Sequence, residues 1–247
     1  MNILVCNDDG IYSEGLIALA KCLSRENNII VIAPSGNMSG ISHSLNFNQD
    51  IEVHEVFLDK AFKSYSVSGT PADCVKFAYY ELKDFKIDLV CAGINKGSNL
   101  GTDVIYSGTV SAGLEANSLG LPAVAVSSVP FEGGDFDMCG IICLKIIDKF
   151  KEFFSSSYTL NVNVPGIKMN EIKGVKVAKL GVQVYSDQYI PTGENSYRLI
   201  GEPLEHGFND SDCDVEWVKA GYVSVTPIVF DKTDYRAIEK IGKDFKI

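Results

Sequence analysis

Apolar residues at the start of the chain form two short runs that are separated by a helical pattern. Asn2–Cys6 has the sequence NILVC and residues 28–33 have the sequence NIIVIA. Uninterrupted runs of this kind are typical of strands that are buried on both faces. Between them, apolar residues recur at helical spacing after Ser13, a residue type that often begins a helix. The chain therefore begins with a predicted strand–helix–strand unit.

The alternation of strands and helices continues to residue 164. Predicted strands lie near 51–57 and 64–67 and at 87–92, 122–127 and 159–164, and predicted helices cover 70–82, 107–117 and 137–154. The helix after Thr70 has a clear start, because Thr70 can cap it and Pro71 fits the first helical position. Strands that alternate with helices predict an α/β fold, with a mainly parallel sheet and helices on both faces.

The last third of the chain has a different pattern. From 175 to 227, short strand-like segments alternate with turn residues, and 183–209 shows no helical periodicity. A strand is predicted at 222–226 and a short final helix at 234–243. We interpret 1–247 as a single α/β domain from which a β-rich arm or hairpin projects at about 182–214.

The composition is typical of a folded protein, since 46% of the residues are hydrophobic and 22% are charged. The net charge of −10 argues against nucleic acid as a partner, because nucleic acids attract basic surfaces. The seven cysteines form no CxxC pair and so predict no cysteine zinc site. Met1 leads directly into a predicted strand, without a basic leader and signal segment, and no apolar run approaches about 18 residues. We therefore expect a cytoplasmic protein with no membrane contact.

Two aspartates follow the first predicted strand, at the position where open α/β sheets bind their ligands. Asp8 and Asp9 are adjacent, so their negative charges repel each other, and a nearby cation would remove that repulsion. Carboxylate oxygens suit a hard divalent ion such as Mg²⁺ or Mn²⁺. Asp-Asp-Gly is also an ordinary turn sequence, so the metal hypothesis depends on the position of the pair at a strand end.

Ser107, Gly108 and Thr109 lie at the start of a predicted helix. The first N–H groups of a helix bind anions, and a glycine there lets a phosphate approach the backbone closely. Ser107 could equally be a plain helix cap, and the two roles are compatible. The segment does not match the Walker motif, which needs Gly-Lys-Ser/Thr. It is a candidate phosphate-binding site.

Other polar residues after predicted strands are weaker candidates. Asn95 offers an amide oxygen and Ser39 a hydroxyl, and both residue types ligate metals or phosphate but are also common in loops. Asp73 is better explained as a residue of the first turn of a helix. His43 shares a loop with Ser39, and we expect it to be a solvated loop residue.

Three other classes of α/β protein are alternatives to a metal-dependent phosphatase. A dinucleotide-dependent oxidoreductase needs a glycine-rich turn where this chain has Asn7, Asp8 and Asp9. A phosphatase of the haloacid-dehalogenase type is expected to have Asp-x-Asp at that place. A phosphoacceptor receiver domain has about half this length and leaves the remaining chain without a role.

Six segments, in the same order along the chain, resemble the SurE family of survival-protein nucleotidases. They are ILVCNDDG at 3–10, SGISHS at 39–44, SGTPADCV at 68–75, AGINKGSNLGTDVIYSGTVSAGLEA at 92–116, LNVNVP at 160–165 and GYVSVTP at 221–227. The segments are spread over most of the chain, from 3 to 227, and several are long, so chance similarity does not account for them.

The resemblance implies a Rossmann-like core and one divalent metal cation (Mg²⁺, Mn²⁺ or Co²⁺) held by Asp8, Asp9, Ser39 and Asn95. It implies hydrolysis of nucleoside 5′- and 3′-monophosphates to nucleoside and inorganic phosphate, with short polyphosphate as a further substrate of some members. It also implies a homodimer or homotetramer that forms through the C-terminal arm.

These residues together predict metal-assisted hydrolysis of a phosphate monoester. A bound cation would contact a phosphate oxygen and lower the pKa of a water molecule, while Asn95 and residues 107–109 hold the phosphoryl group. Asp8 could orient or deprotonate the water, or it could attack phosphorus directly as a covalent nucleophile. Asp8, Asp9 and Asn95 are therefore the candidate catalytic residues.

Overall fold

The computed structural model of the chain describes residues 1–130, 133–205 and 208–242. In chain order, the strands are β1 (Asn2–Cys6), β2 (Asn28–Pro34), β3 (Val53–Asp59), β4 (Phe62–Val67), β5 (Leu89–Lys96), β6 (Ala123–Ser128), β7 (Thr159–Val164), β8 (Val175–Val177), β9 (Gln188–Gly193), β10 (Ser196–Ile200) and β11 (Val223–Ile228). The α-helices are α1 (Glu14–Leu23), α2 (Pro71–Glu81), α3 (Gly108–Ser118), α4 (Phe136–Phe150), α5 (Asp214–Lys219) and α6 (Tyr235–Gly242).

One large sheet organises the molecule, with the strand order β3-β4-β2-β1-β5-β6-β7-β11-β8. The six strands from β4 to β7 in this order run parallel to one another. β3 pairs antiparallel with β4, and β11 pairs antiparallel with β7. β8 is parallel to β11. The predicted α/β fold with a mainly parallel sheet is confirmed.

Helices cover both faces of the sheet, as predicted. On one face, Leu16 of α1 and Ile146 of α4 pack into a core that includes Val5 of β1. On the other face, Val75 of α2 and Ala112 of α3 belong to a second buried cluster. The central strands are therefore buried from both sides, which explains their continuous apolar sequences.

Most of the predicted elements are found within a few residues of their predicted ends, and β1 and β7 have the predicted bounds. The start of α2 is also confirmed, because Thr70 and Asp73 cap it reciprocally. The Thr70 hydroxyl accepts the Asp73 N–H, and the Asp73 carboxylate accepts the Thr70 N–H. A cap of this kind contributes about 1 kcal/mol. Its geometry places Asp73 in the first turn of α2, as predicted.

Two local predictions are wrong. β5 continues past Ala92 to Lys96, so Asn95 lies near the end of a strand rather than in a loop. In the last third of the chain, Asp214–Lys219 forms a helix where only strands and turns are predicted. This helix has six residues, too few for helical periodicity to distinguish it from a turn.

The C-terminal third divides between the main sheet and a hairpin. β8 and β11 extend the main sheet, whereas β9 and β10 form a separate two-stranded sheet in the region of the predicted arm. Contacts with a loop of the core hold the base of this hairpin. The Thr102 hydroxyl donates to the carbonyl of Gln183 at 2.9 Å, and the Tyr185 hydroxyl donates to the Asp103 carboxylate at 2.6 Å.

The described part of the chain contains no helix that is long and apolar enough to cross a membrane. All seven cysteines lie in this part, and each is buried as a free thiol. Buried free cysteines of this kind pack as small hydrophobic residues.

Candidate metal and phosphate site

The aspartate turn after β1 lies at the carboxyl edge of the parallel strands, and Asn7 shapes it. The Asn7 side chain accepts the Gly10 N–H, donates to the Gly10 carbonyl and donates to the Ser13 hydroxyl at 2.6 Å. Gly10 has a φ of +105°, a conformation that favours glycine. Ser13 occupies the N-cap position of α1 but makes no side-chain cap, since its hydroxyl contacts Asn7 instead.

Asp8 is buried against the N-terminus of α3. The residue is 3% exposed, and its Oδ1 accepts the Thr109 hydroxyl at 2.5 Å. The pKa of Asp8 is raised to about 6, chiefly because burial disfavours the charged form; the Thr109 hydroxyl opposes this shift and the charge of Asp9 adds to it. The Asp8 carboxylate therefore contacts the first turn of α3, the part of a helix that favours negative charge.

Gly108 provides the space that Asp8 needs. A Cβ atom on Gly108 would lie 2.7 Å from the Cβ of Asp8 and 2.9 Å from its Oδ2, so either the side chain or the helix would have to move. The neighbouring Ser107 caps α3, because its hydroxyl accepts the Val110 N–H at 3.1 Å. The capping role considered for Ser107 is confirmed, and the absence of a side chain at Gly108 has a structural reason in the packing of Asp8.

Asp9 contacts the end of β5. Its Oδ2 accepts the Lys96 N–H at 3.1 Å. The pKa of Asp9 is raised because burial outweighs the hydrogen bond and the positive charge of Lys96. Asn95 is the preceding residue, and its amide nitrogen donates to the Gly97 carbonyl at 3.0 Å. This bond leaves the Asn95 Oδ1 as an acceptor that takes no hydrogen bond from the residues described here.

Two glycines permit close packing around the part of β5 that leads to Asn95. Gly93 has a φ of +132°, and a Cβ atom there would lie 2.3 Å from the carbonyl oxygen of Val126. A Cβ atom on Gly15 would lie 2.1 Å from the carbonyl oxygen of Ile94. The register of β5 against β6 also shifts just before Asn95. Such a shift changes the direction of the side chains that follow it.

Ser39 is exposed in the loop 35–52 between β2 and β3. The adjacent residue, Met38, donates its N–H to the Asp8 carbonyl at 2.7 Å, so the loop is joined to the aspartate turn next to Ser39. Ser39 and Asn95 are therefore each one residue away from a backbone contact with the aspartate pair.

Sequence reasoning missed a set of buried polar residues that hold the loop 97–106, which connects Asn95 to α3. The Asn99 carbonyl accepts hydrogen bonds from the amides of Asn161 and Asn163, and its N–H donates to the Asn163 Oδ1 at 2.8 Å. The Asp214 carboxylate accepts another backbone N–H of the same loop at 2.9 Å. The sequence of β7, TLNVNV, contains a sign of this role, because its asparagines alternate with apolar residues and so lie on one face of the strand.

His43 is an exposed loop residue, as expected, but its ring also contacts a buried residue of the core. Its Nε2 lies 2.7 Å from Oε2 of Glu115 on α3, a glutamate that is 4% exposed. The two residues are 72 positions apart in the sequence, so no local pattern predicts their contact.

Two cavities are candidates for a ligand in the described part of the chain. The larger, of about 970 Å³, lies at the amino ends of β2 and β4 beside Asn28 and Phe62. The smaller, of about 550 Å³, is lined by Asp9, Lys96 and Phe136 among others. Ligands of open α/β sheets bind at the carboxyl ends of strands, so the smaller cavity is the better candidate despite its size.

A divalent cation fits the donors at this edge. Burial raises the pKa of both aspartates, and a positive charge beside them would offset that cost. No group of three or more His, Cys, Asp and Glu residues that could hold a metal occurs in residues 1–130, 133–205 and 208–242. A site here would therefore combine the two carboxylates with neutral oxygens, and the Ser39 hydroxyl and the Asn95 amide are of that type.

Comparisons with known proteins extend over the whole chain. The sequence profile of the family described as "Survival protein SurE" matches residues 3–187. A Clostridium beijerinckii protein named 5′-nucleotidase SurE is 39% identical over 253 residues, which cover 100% of both chains. An Alkaliphilus metalliredigens protein of the same name is 41% identical over 248 residues, which cover 98% of this chain and 97% of that protein.

A solved structure has the same fold. The crystal structure of the SurE protein from Aquifex aeolicus matches with a TM-score of 0.84 and 38% sequence identity, and the match covers 98% of each chain. The profile, the full-length identity and the shared fold lead to one conclusion: the chain belongs to the SurE family.

Proposed function

We propose that this chain hydrolyses nucleoside 5′-monophosphates to nucleoside and inorganic phosphate with the help of one divalent cation. Relatives named 5′-nucleotidase SurE support the reaction. Eight of them have sequence identities of 36–41% to this chain, and each alignment covers at least 96% of it. The structural observation that carries the proposal is the buried carboxylate of Asp8, which lies beside Asp9 and against the N-terminus of α3. We also expect nucleoside 3′-monophosphates and short polyphosphate to be substrates.

Asp8, Asp9, Ser39 and Asn95 are the proposed metal ligands, and Mg²⁺, Mn²⁺ and Co²⁺ are the proposed metals. A divalent cation, when bound, supplies a positive charge to a phosphate oxygen and lowers the pKa of a water molecule. We propose that Asp8 orients the attacking water. Asp8 contacts Thr109 at the start of α3, which is also the proposed place of the phosphoryl group.

The proposed phosphate contacts are the amide of Asn95 and residues 107–109 at the start of α3. Donors at a helix N-terminus stabilise negative charge as it builds up during the reaction. The nucleoside part is proposed to enter the cavity beside Asp9, whose volume of about 550 Å³ is within the usual range for small-molecule sites. Phe136 offers an apolar surface there, and Lys96 a positive charge.

Replacement of Asp8 by asparagine tests the proposed metal site. Asparagine keeps an acceptor for the Thr109 hydroxyl but removes the buried charge. Burial raises the pKa of Asp8 in the folded state from its ordinary value of 3.8 to about 6. The charge therefore costs no stability below about pH 4, an increasing amount between about pH 4 and 6, and its full cost above about pH 6. With a chelator present, Asp8→Asn should therefore be more stable than the wild type at pH 8, by on the order of 1–3 kcal/mol, and about equally stable at pH 4. Urea unfolding at both pH values measures this difference.

Saturating Mn²⁺ should reverse the order of stability, because only the wild type gains from binding the ion. Phosphate release from AMP should be lost both in Asp8→Asn with metal and in the wild type with chelator. A wild type that hydrolyses AMP at full rate in excess chelator would contradict the metal proposal.

Replacement of Gly108 by alanine tests the contact between Asp8 and the start of α3. The added methyl group would collide with the Asp8 side chain. We therefore expect weaker Mn²⁺ binding, a lower kcat and weaker inhibition by phosphate or vanadate. Calorimetric titration of Mn²⁺ and steady-state kinetics with AMP measure these effects.

Gly113→Ala is the matched control on the same helix, since its methyl group would lie 2.5 Å from a Thr159 carbon, away from the aspartates. Overpacking should cost both variants about 1–3 kcal/mol of stability, but only Gly108→Ala should lose metal affinity. A folded Gly108→Ala with unchanged metal binding and kinetics would reduce residues 107–109 to a helix cap.

The projecting hairpin is the proposed contact of a homodimer or homotetramer. Tyr189, Tyr197 and Leu199 are 70%, 65% and 51% exposed on it. A two-stranded hairpin is only marginally stable on its own in water, and exposed aromatic residues are typical of subunit interfaces. Replacement of residues 188–200 by a short turn, with the base at Tyr185 intact, should yield smaller particles with reduced activity.

Light scattering of both proteins at micromolar concentration gives the particle masses. A mass near 26.9 kDa for the intact chain would refute the oligomer. An oligomer that the deletion leaves unchanged would place the interface outside the hairpin.

A further inference from the structure

A buried carboxylate with two basic partners lies on α3, outside the site described above. Glu115 is 4% exposed; its Oε2 lies 2.7 Å from the His43 Nε2, and its Oε1 lies 2.6 Å from the Lys76 Nζ. Burial alone would raise the pKa of Glu115, but the hydrogen bonds with His43 and Lys76 lower it to about 2. Glu115 therefore stays negatively charged at ordinary pH values, and each of its two carboxylate oxygens has a basic partner.

The two basic partners come from different parts of the fold. Lys76 belongs to α2, which packs beside α3, so this ion pair joins two helices. His43 belongs to the loop 35–52, and it follows Ser39 by four residues. Because this loop contains no helix or strand, its conformation depends on contacts with the rest of the protein.

The contacts of this loop are distributed on both sides of Ser39. On the side toward β2, Met38 donates to the Asp8 carbonyl. On the other side, Ser42 donates through its N–H to the Tyr106 carbonyl at 3.0 Å and through its hydroxyl to the Ile105 carbonyl at 2.7 Å. His43 then makes the ion pair that joins this loop to α3.

We propose that Glu115 is a positioning residue that acts through His43: it holds the loop 35–52 on α3 so that Ser39 stays beside Asp8 and Asp9. The inference rests on the proposed function, since Ser39 matters only if it contributes to the metal site. Glu115 and His43 touch neither metal nor substrate in this proposal. α3 thus contacts the site twice, with its first turn at Asp8 and with Glu115 through the loop.

The separate roles of the two partners make the proposal testable. In His43→Ala, Glu115 keeps its ion pair with Lys76, so its buried charge stays paired and the fold is preserved. In Lys76→Met, the hydrogen bond of Glu115 with His43 remains and the loop stays attached. His43→Gln retains a side-chain N–H donor of similar reach. His54 gives a matched control, because its pair with Glu52 at 3.3 Å is exposed.

The affinity of the full-length chain for Mn²⁺, measured by calorimetric titration, is the first readout. We expect His43→Ala to weaken binding about tenfold, as is typical when a group that orients a metal ligand is lost. His43→Gln should restore most of the affinity, and Lys76→Met and His54→Ala should bind like the wild type. A loss in Lys76→Met as large as that in His43→Ala would overturn the proposal, because the effect would then come from the helix pair.

A double-mutant cycle with Ser39→Ala is the second readout. If His43 acts through Ser39, then His43→Ala should weaken Mn²⁺ binding in the wild type and have no further effect in Ser39→Ala. Equal effects in both backgrounds would overturn the proposal. Amide hydrogen exchange gives a measure that is independent of metal, and residues 38–42 should exchange faster in metal-free His43→Ala than in metal-free His54→Ala.

Failure of this inference differs from failure of the proposed function. If Ser39→Ala weakens Mn²⁺ binding and His43→Ala does not, the metal site stands and the positioning role is refuted. If Ser39→Ala binds Mn²⁺ like the wild type, Ser39 is not a ligand, and both the proposed ligand set and the positioning role fail.

Discussion

Burial of the Asp8 carboxylate is the constraint on which the rest of the site depends. A carboxylate that is 3% exposed loses most of its hydration, and Asp9 adds a second negative charge beside it. The surrounding residues offset part of this cost: Thr109 donates its hydroxyl, and Gly108 leaves room for α3 to approach. A divalent cation would offset the remainder, which is why the metal proposal follows from the packing of the fold as well as from the family.

Loops carry much of the site, and buried polar groups rather than the apolar core fix their positions. Asn163 and Asp214 bind the backbone of the loop 97–106 between Asn95 and α3. Glu115 binds His43 in the loop that contains Ser39. Directional hydrogen bonds to buried partners define one loop conformation more narrowly than apolar contacts do, and a metal site needs its ligands at defined positions.

The features that were predictable from the sequence are local ones. The apolar runs of β1 and β7 define their own strands, and Asp8 and Asp9 follow directly from a strand end at the ligand-binding edge. The strand extension that contains Asn95 depends on packing against β6, and the His43–Glu115 contact joins positions 72 residues apart. Neither has a pattern in the adjacent sequence, because tertiary contacts decide both.

Diffraction from crystals of the intact protein grown with Mn²⁺ and inorganic phosphate, recorded with the anomalous signal of manganese, tests the metal site most directly. We predict one strong anomalous peak within about 2.5 Å of carboxylate oxygens of both Asp8 and Asp9 and within the same distance of the Ser39 hydroxyl and the Asn95 Oδ1. A peak at any other place in the molecule, or no peak at saturating Mn²⁺, would contradict the metal site proposed for this chain.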